Sequence, residues 1–211
     1  MNQPALLDLD PHARRGGDFY VTPRWMTRAL LARYPIPEHL GSRGRVLEPC
    51  VGNGAILRLL SPELDVVTND LVPRAPVLPD FLEDARLAPT WDLFEGKGPI
   101  AVVITNPPFD ASLDIVRHAV ERATCGVAML LRISWLEPTD DRSEFLAAHP
   151  PTRQIVLPRW KFRGAGSGDF VTCCWFLWAK QRGFCDAGIE VVTKAERDHW
   201  IGIDRIRGLL A

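Results

Sequence analysis

Residues Ile100–Thr105, IAVVIT, form an unbroken apolar run that stops on Asn106-Pro107-Pro108-Phe109. A run this short cannot cross a membrane, and it fits a strand covered on both faces. Two consecutive prolines carry no backbone N–H and hold the chain extended, so the strand cannot continue past them. A stiff turn alone requires neither an amide at its start nor an aromatic ring at its end. With proline near 5% of residues, Asn-Pro-Pro-aromatic arises by chance in well under roughly 1% of chains this size. This corner is the most specific signal in the sequence.

The rest of the chain supplies partners for such a strand. PRWMTRALLARY places Trp25, Met26, Ala29 and Leu30 at helical spacing, with Thr22 as expected N-cap and Pro23 at the first helical position. Val46–Glu48 reads as a short strand, followed by a Gly-rich turn (VGNGAILRLLSP) that should open a helix ending before Pro62. Leu64–Asn69 reads as a second strand closed by Asp70. The proline-rich stretch 71–99 reads mostly as loop. SLDIVRHAVERAT is an amphipathic helix, GVAMLLRIS a strand, RSEFLAAH a short helix, and TRQIVLP and FVTCCWFLWA two further strands. Strands alternating with helices predict an α/β fold with a mostly parallel sheet, its last strands forming an antiparallel edge. The aromatic stripe Trp175, Phe176, Trp178 reads as core.

Composition narrows the classes. The chain has 211 residues, 46% hydrophobic and 24% charged, with a net charge of −1. One globular domain is expected, and any contact with a polyanion must be local, since a broad nucleic-acid face makes a chain basic. The five cysteines, Cys50, Cys125, Cys173, Cys174 and Cys185, include no C-x-x-C pair. They read as plain thiols in a reducing, cytoplasmic setting, with no metal site and no membrane segment expected. Between residues 151 and 182, Arg153, Arg159, Lys161, Arg163, Lys180 and Arg182 face only Asp169. In isolation such a run is a solvated face as readily as a phosphate-binding one.

Ligands of open parallel sheets bind at the carboxyl ends of the strands, and three strand ends here carry unusual chemistry. In LEPCVGNGAI, Gly52 and Gly54 permit a tight turn, and Glu48 before it suits a cationic ligand. The loop lacks both the Gly-Lys-Ser/Thr of a phosphate loop and the third glycine of a dinucleotide fingerprint. Alone it is equally an ordinary strand-to-helix turn. Asp70 lies where a carboxylate can accept both hydroxyls of a ribose. The third end is the Asn-Pro-Pro-Phe corner.

With these three corners in this order, the chain resembles the class I S-adenosylmethionine-dependent methyltransferases. Among them it is similar to the N6-adenine DNA methyltransferases of compact, phage-type layout, over residues 18–180. The resemblance implies a Rossmann-like, doubly wound α/β fold with a mostly parallel seven-stranded sheet and an antiparallel edge strand. It divides the chain into an irregular segment 1–17, a catalytic domain 18–182 and a short extension 183–211. That extension is too short for a separate target-recognition domain and could form an edge strand plus a helix. S-adenosylmethionine is the implied cofactor, held by Tyr20, Thr22, Pro23, Glu48, Pro49, Gly52, Gly54, Asp70, Leu71, Asp80, Phe81 and Asn106. Asp80 would bond the cofactor adenine, with Asp84 as a competing candidate, and Phe81 would pack against it. Asn106, Pro107, Pro108 and Phe109 would be catalytic. Trp160, Lys161, Phe162, Arg163 and Trp135 would meet the substrate, with Phe162, then Trp160, packing on the flipped base. Nucleic acid, most directly DNA, is the implied partner, with sequence recognition left to loops or to a protein partner. The same corner serves methylation of RNA adenine or of a protein glutamine amide, and a non-catalytic binding module could also keep this fold.

Overall fold

The computed structural model describes residues 20–34, 36, 44–137, 139–162, 170–181 and 184–209. Segment 1–17 and Arg163 lie outside the described residues. The elements are α1 (Arg24–Leu31), β1 (Arg45–Glu48), β2 (Val66–Thr68), α2 (Ala88–Glu95), β3 (Ile100–Thr105) and α3 (Ser112–Arg122). They continue with β4 (Gly126–Arg132), α4 (Asp140–Ala148), β5 (Arg153–Val156), β6 (Cys173–Ala179), β7 (Gly188–Val191) and α5 (Lys194–Ile206).

The seven strands form one sheet in the order β2-β1-β3-β4-β6-β5-β7. All pairs are parallel except those of β6, which runs against both β4 and β5. The mostly parallel seven-stranded sheet is as the resemblance implies. Its reversed member lies inside the sheet, and the edge belongs to β7, contributed by the C-terminal extension. Every residue of Ile100–Thr105 is buried, because both faces of the sheet are covered. Val46, Val102, Ile104, Leu130 and Trp175 pack on one face with Trp25, Met26 and Leu30 of α1. Leu47, Val103, Met129, Cys174 and Phe176 pack on the other with α2 and α3. The expected core stripe is thus split by the pleat between the two layers.

Three local readings change. The Gly-rich turn after β1 opens no α-helix; only a 3₁₀ turn, Leu57–Leu59, follows. Gly52 and Gly54 adopt φ of 54° and 76°, which spends the first half of the segment on a reversal, and Pro62 closes the second half. The proline-rich stretch contains α2, with Pro89 in its first turn and Trp91 and Phe94 buried. Proline there marks a helix start rather than a loop. Finally, Pro23, not Thr22, is the N-cap of α1, and no side chain caps it. The Thr22 hydroxyl is used elsewhere.

The C-terminal segment is fastened to α1. Asp204 on α5 is 1% exposed and accepts from Arg28 Nη2 at 2.8 Å and more weakly from Arg24 Nε at 3.4 Å. Arg33 bridges Glu190 on β7 and Glu196 on α5 at 2.9 and 2.6 Å. Thr193 and Glu196 close a reciprocal capping box at the start of α5. Asp204→Ala strips the arginines of their buried acceptor. A loss of about 1.5–3 kcal/mol is expected, measured as a shift of the denaturant midpoint with an unchanged slope.

Candidate active site

The carboxyl ends of β1 and β3 meet where the order of the sheet reverses, with β2 to one side and β4 to the other. This is the switch point where open α/β sheets form a crevice. Leu47 is level with Val103, so Glu48 and the Asn106 corner emerge side by side. A cavity there is lined by Tyr20, Thr22, Glu48, Gly52, Asp70, Asn106, Pro107, Pro108 and Phe109. A second cavity beside it is lined by Pro49, Leu71, Asp84, Asp110 and Ile115, and Cys50 belongs to both.

The Asn106 side chain is held in one orientation. Its Nδ2 donates to Thr22 Oγ1 at 3.0 Å and, at a long 3.5 Å, faces the Tyr20 carbonyl. A carbonyl cannot donate, so the end facing Tyr20 must be the NH₂. Oδ1 then has no protein partner among the described residues and is left as an acceptor beside the cavity. The chain before α1 thus aims the amide, which is why Thr22 is not a helix cap.

Asp70 is 4% exposed. Its Oδ2 accepts the Gly52 N–H at 2.8 Å and its Oδ1 the Val72 N–H at 3.2 Å. The left-handed φ of Gly52 turns that N–H toward the carboxylate. At Gly54, also left-handed, a Cβ would stand 2.5 Å from Val77 Cγ2, so this position shapes the loop rather than lining the cavity. Glu48 is 1% exposed, and its Oε2 is buried with no hydrogen-bond partner. Burial, opposed by the Leu57 N–H and reinforced by Asp70, raises its pKa well above 4.5. A buried unpartnered carboxyl oxygen beside a second carboxylate fits a cationic ligand.

Other expected residues take different places. Asp80 reaches neither cavity: its Oδ2 accepts from Thr68 N and Thr68 Oγ1 at 2.8 and 2.9 Å. Asp84, the competing candidate, lines the second cavity, where Arg86 holds its carboxylate. Phe81 packs edge-on against Phe94, and its carbonyl accepts the Asp70 N–H. It supports Asp70 through its backbone and lines neither cavity. Trp135 is 4% exposed, donates to Ser112 Oγ at 3.1 Å and packs with Phe145, Phe176 and Trp178. It is a core residue with no face left for substrate. Phe162 is buried against Tyr20, which in turn packs on Phe109. Trp160 packs edge-on against Trp25 and, with Pro23, lines a separate apolar groove. Lys161 is exposed.

Sequence reasoning missed Cys50, Asn53 and Asp110 as cavity residues. Their places in the glycine loop and directly after Phe109 are the signal that could have found them. Among the described residues no His/Cys/Asp/Glu group could hold a metal ion, and no helix is long and apolar enough to cross a membrane. Burial pushes the thiols of Cys173 and Cys174 up to about 12, which leaves them unreactive.

Searches of protein-family models and of curated proteins find no match. Solved structures do match. The M protein of the type I restriction enzyme EcoKI superposes with a TM-score of 0.59 at 13% identity, over 93% of this chain and 55% of that one. The methyltransferase subunit of a type I restriction-modification system from Streptococcus thermophilus gives 0.57 at 14%, over 92% and 54%. A Listeria monocytogenes protein described as a class I S-adenosylmethionine-dependent methyltransferase gives 0.57 at 11%, over 94% and 74%. The chain therefore has the Rossmann-like class I methyltransferase fold and spans about half the length of the type I subunits it matches.

Glu48 yields a prediction without any ligand. Above the ordinary carboxyl value of 4.5, the unfolded chain has released a proton that folded Glu48 still holds. Stability contributed by the raised pKa is full below that value and is lost as pH rises through the folded pKa. Denaturant midpoints of the wild type should therefore decline relative to Glu48→Gln as pH rises above 4.5. Parallel curves would show that Glu48 ionises normally.

Proposed function

We propose that this protein transfers a methyl group from S-adenosylmethionine to the N6 amino group of adenine in DNA. What supports the reading is the Asn106 amide, held through its Nδ2 by Thr22, in the lining of a cavity shared with Glu48 and Asp70. The fold, common to methyltransferases, agrees with it.

The residues present fit the cofactor. Asp70, held by two backbone N–H groups, can accept ribose hydroxyls, and the unpartnered oxygen of buried Glu48 suits the cationic end. Leu71 and Ile115 give the second cavity apolar walls for a purine. Asp84, rather than Asp80, would accept from its amine. When bound, S-adenosylmethionine would supply a methyl carbon on sulfonium, the acceptor of an amine lone pair.

The chain's own part is to make that lone pair available. In adenine it is delocalised into the ring. Asn106 Oδ1 and the Pro107 carbonyl can each accept one N–H of the amine, which draws the nitrogen toward tetrahedral geometry. The same two acceptors meet the positive charge that develops on nitrogen, with no reorganisation at that moment. The surplus proton is acidic once the new bond forms and leaves to water, so no general base is required. An adenine in a duplex must first leave the stack, at a cost of a few kcal/mol. Stacking on Phe109, worth about 1–3 kcal/mol per base, offsets part of it.

Incubation with methyl-labelled cofactor and separate pools of DNA, RNA and protein tests the reading. Label in DNA is expected; label in RNA or protein alone overturns it. Asn106→Ala should lower turnover by about 10²–10³-fold, as removal of one preorganised polar group does, while cofactor affinity stays near wild type. Thr22→Val, which removes only the hydroxyl acceptor for Nδ2, should lower kcat with little change in cofactor affinity. Asp70→Ala should act the other way, weakening cofactor binding first.

A further inference from the structure

Arg132 is the last residue of β4, the strand next to β3 in the sheet. Thr105 is level with Met129, so Arg132 stands three residues beyond the buried end of β3, about 10 Å farther along the strand direction. Its side chain is exposed and returns over the corner, with Cζ 4.2 Å from the centroid of Phe109.

Several other arginines are spent on ion pairs. Arg24, Arg28, Arg33, Arg45, Arg86 and Arg122 each reach a carboxylate. Among the described residues the Arg132 side chain has no carboxylate partner and no hydrogen bond. Its placement rests on the aromatic ring alone. A guanidinium so placed is oriented and keeps all five N–H donors available. Its planar fork matches a phosphate oxygen pair.

We propose that Arg132 binds a backbone phosphate next to the target adenine, at the rim of the base pocket. The proposal rests on the reading of the site as a DNA adenine site. The guanidinium lies over Phe109, the ring on which the flipped base would stack. Base–aromatic stacking is stronger than an exposed cation–π contact, so an arriving base displaces the guanidinium from that face. The strand-end position then lets the side chain swing outward, where the backbone of the flipped nucleotide must lie. One residue covers the ring without substrate and holds the polymer with it.

The test compares wild type, Arg132→Ala and Arg132→Lys in steady-state methylation of duplex DNA over a series of salt concentrations. For Arg132→Ala, KM for DNA should rise about 10-fold or more, the loss of one charge-assisted bond. The slope of log KM against log salt should fall by about 0.9, one phosphate contact. Cofactor affinity and the unfolding midpoint should not move, which a purely structural role would not predict. Arg132→Lys should keep the salt slope and recover only part of KM, because the charge remains and the fork is lost. An unchanged KM and slope in Arg132→Ala, with wild type labelling DNA, overturns the assignment of Arg132 alone. Failure of the wild type to label DNA overturns the reading of the site and this proposal with it.

Discussion

The parallel pairing of β1 with β3 sets Leu47 level with Val103 and so delivers two unlike strand ends to one crevice. From β1 comes a buried carboxyl group and a left-handed glycine. From β3 comes an amide held by the Thr22 hydroxyl, at a corner stiffened by two prolines. Neither end makes a site by itself. The pairing is stable because both strands are apolar on both faces, so a slip in register would expose a core side chain on one layer or the other. Burial of the strands thereby fixes the spacing of the polar groups at their ends.

The corner was legible because proline, asparagine and glycine act locally: their constraints on backbone and donor count hold in any fold. The strand pattern was legible for a similar reason, since apolar runs of four to seven residues leave few alternatives to a covered sheet. Residues 71–99 were not, because five prolines spread over the stretch mask a short helix whose apolar positions, Trp91 and Phe94, are only one turn apart. Trp135 was misplaced because its position after β4 puts it near the site in sequence, while the 3₁₀ turn Ile133–Leu136 rotates it into the core beside Ser112. Asp80 and Asp84 could not be separated from sequence. The two carboxylates are four residues apart on one irregular stretch, and only the Thr68 side chain and backbone decide which is spent on β2.

The short loop after β2 also explains an economy in the sheet. Phe81 makes a single parallel bridge with Asn69, and among the described residues no further strand forms beyond β2. That bridge still does what a full strand would do for the site. The Phe81 carbonyl takes the Asp70 N–H, and the Asn69 side chain ties the Pro49 and Glu83 carbonyls together. Three loops are thus joined under the two cavities by a buried asparagine.

The far end of the chain bears on the same geometry through α1. Trp175 Nε1 on β6 donates to the Met26 carbonyl at 2.8 Å, and Asp204 grips Arg28 from α5. Helix α1 is therefore fixed from the sheet beneath and from the C-terminal helix beside it. Thr22 lies two residues before its first turn. A hydrogen bond of 3.0 Å between Thr22 and Asn106 weakens steeply once its partners separate by about half an ångström. The docking of β7 and α5 is thus a condition on the aim of Asn106, and rigidity supplied at the distal edge of the sheet is used at its centre.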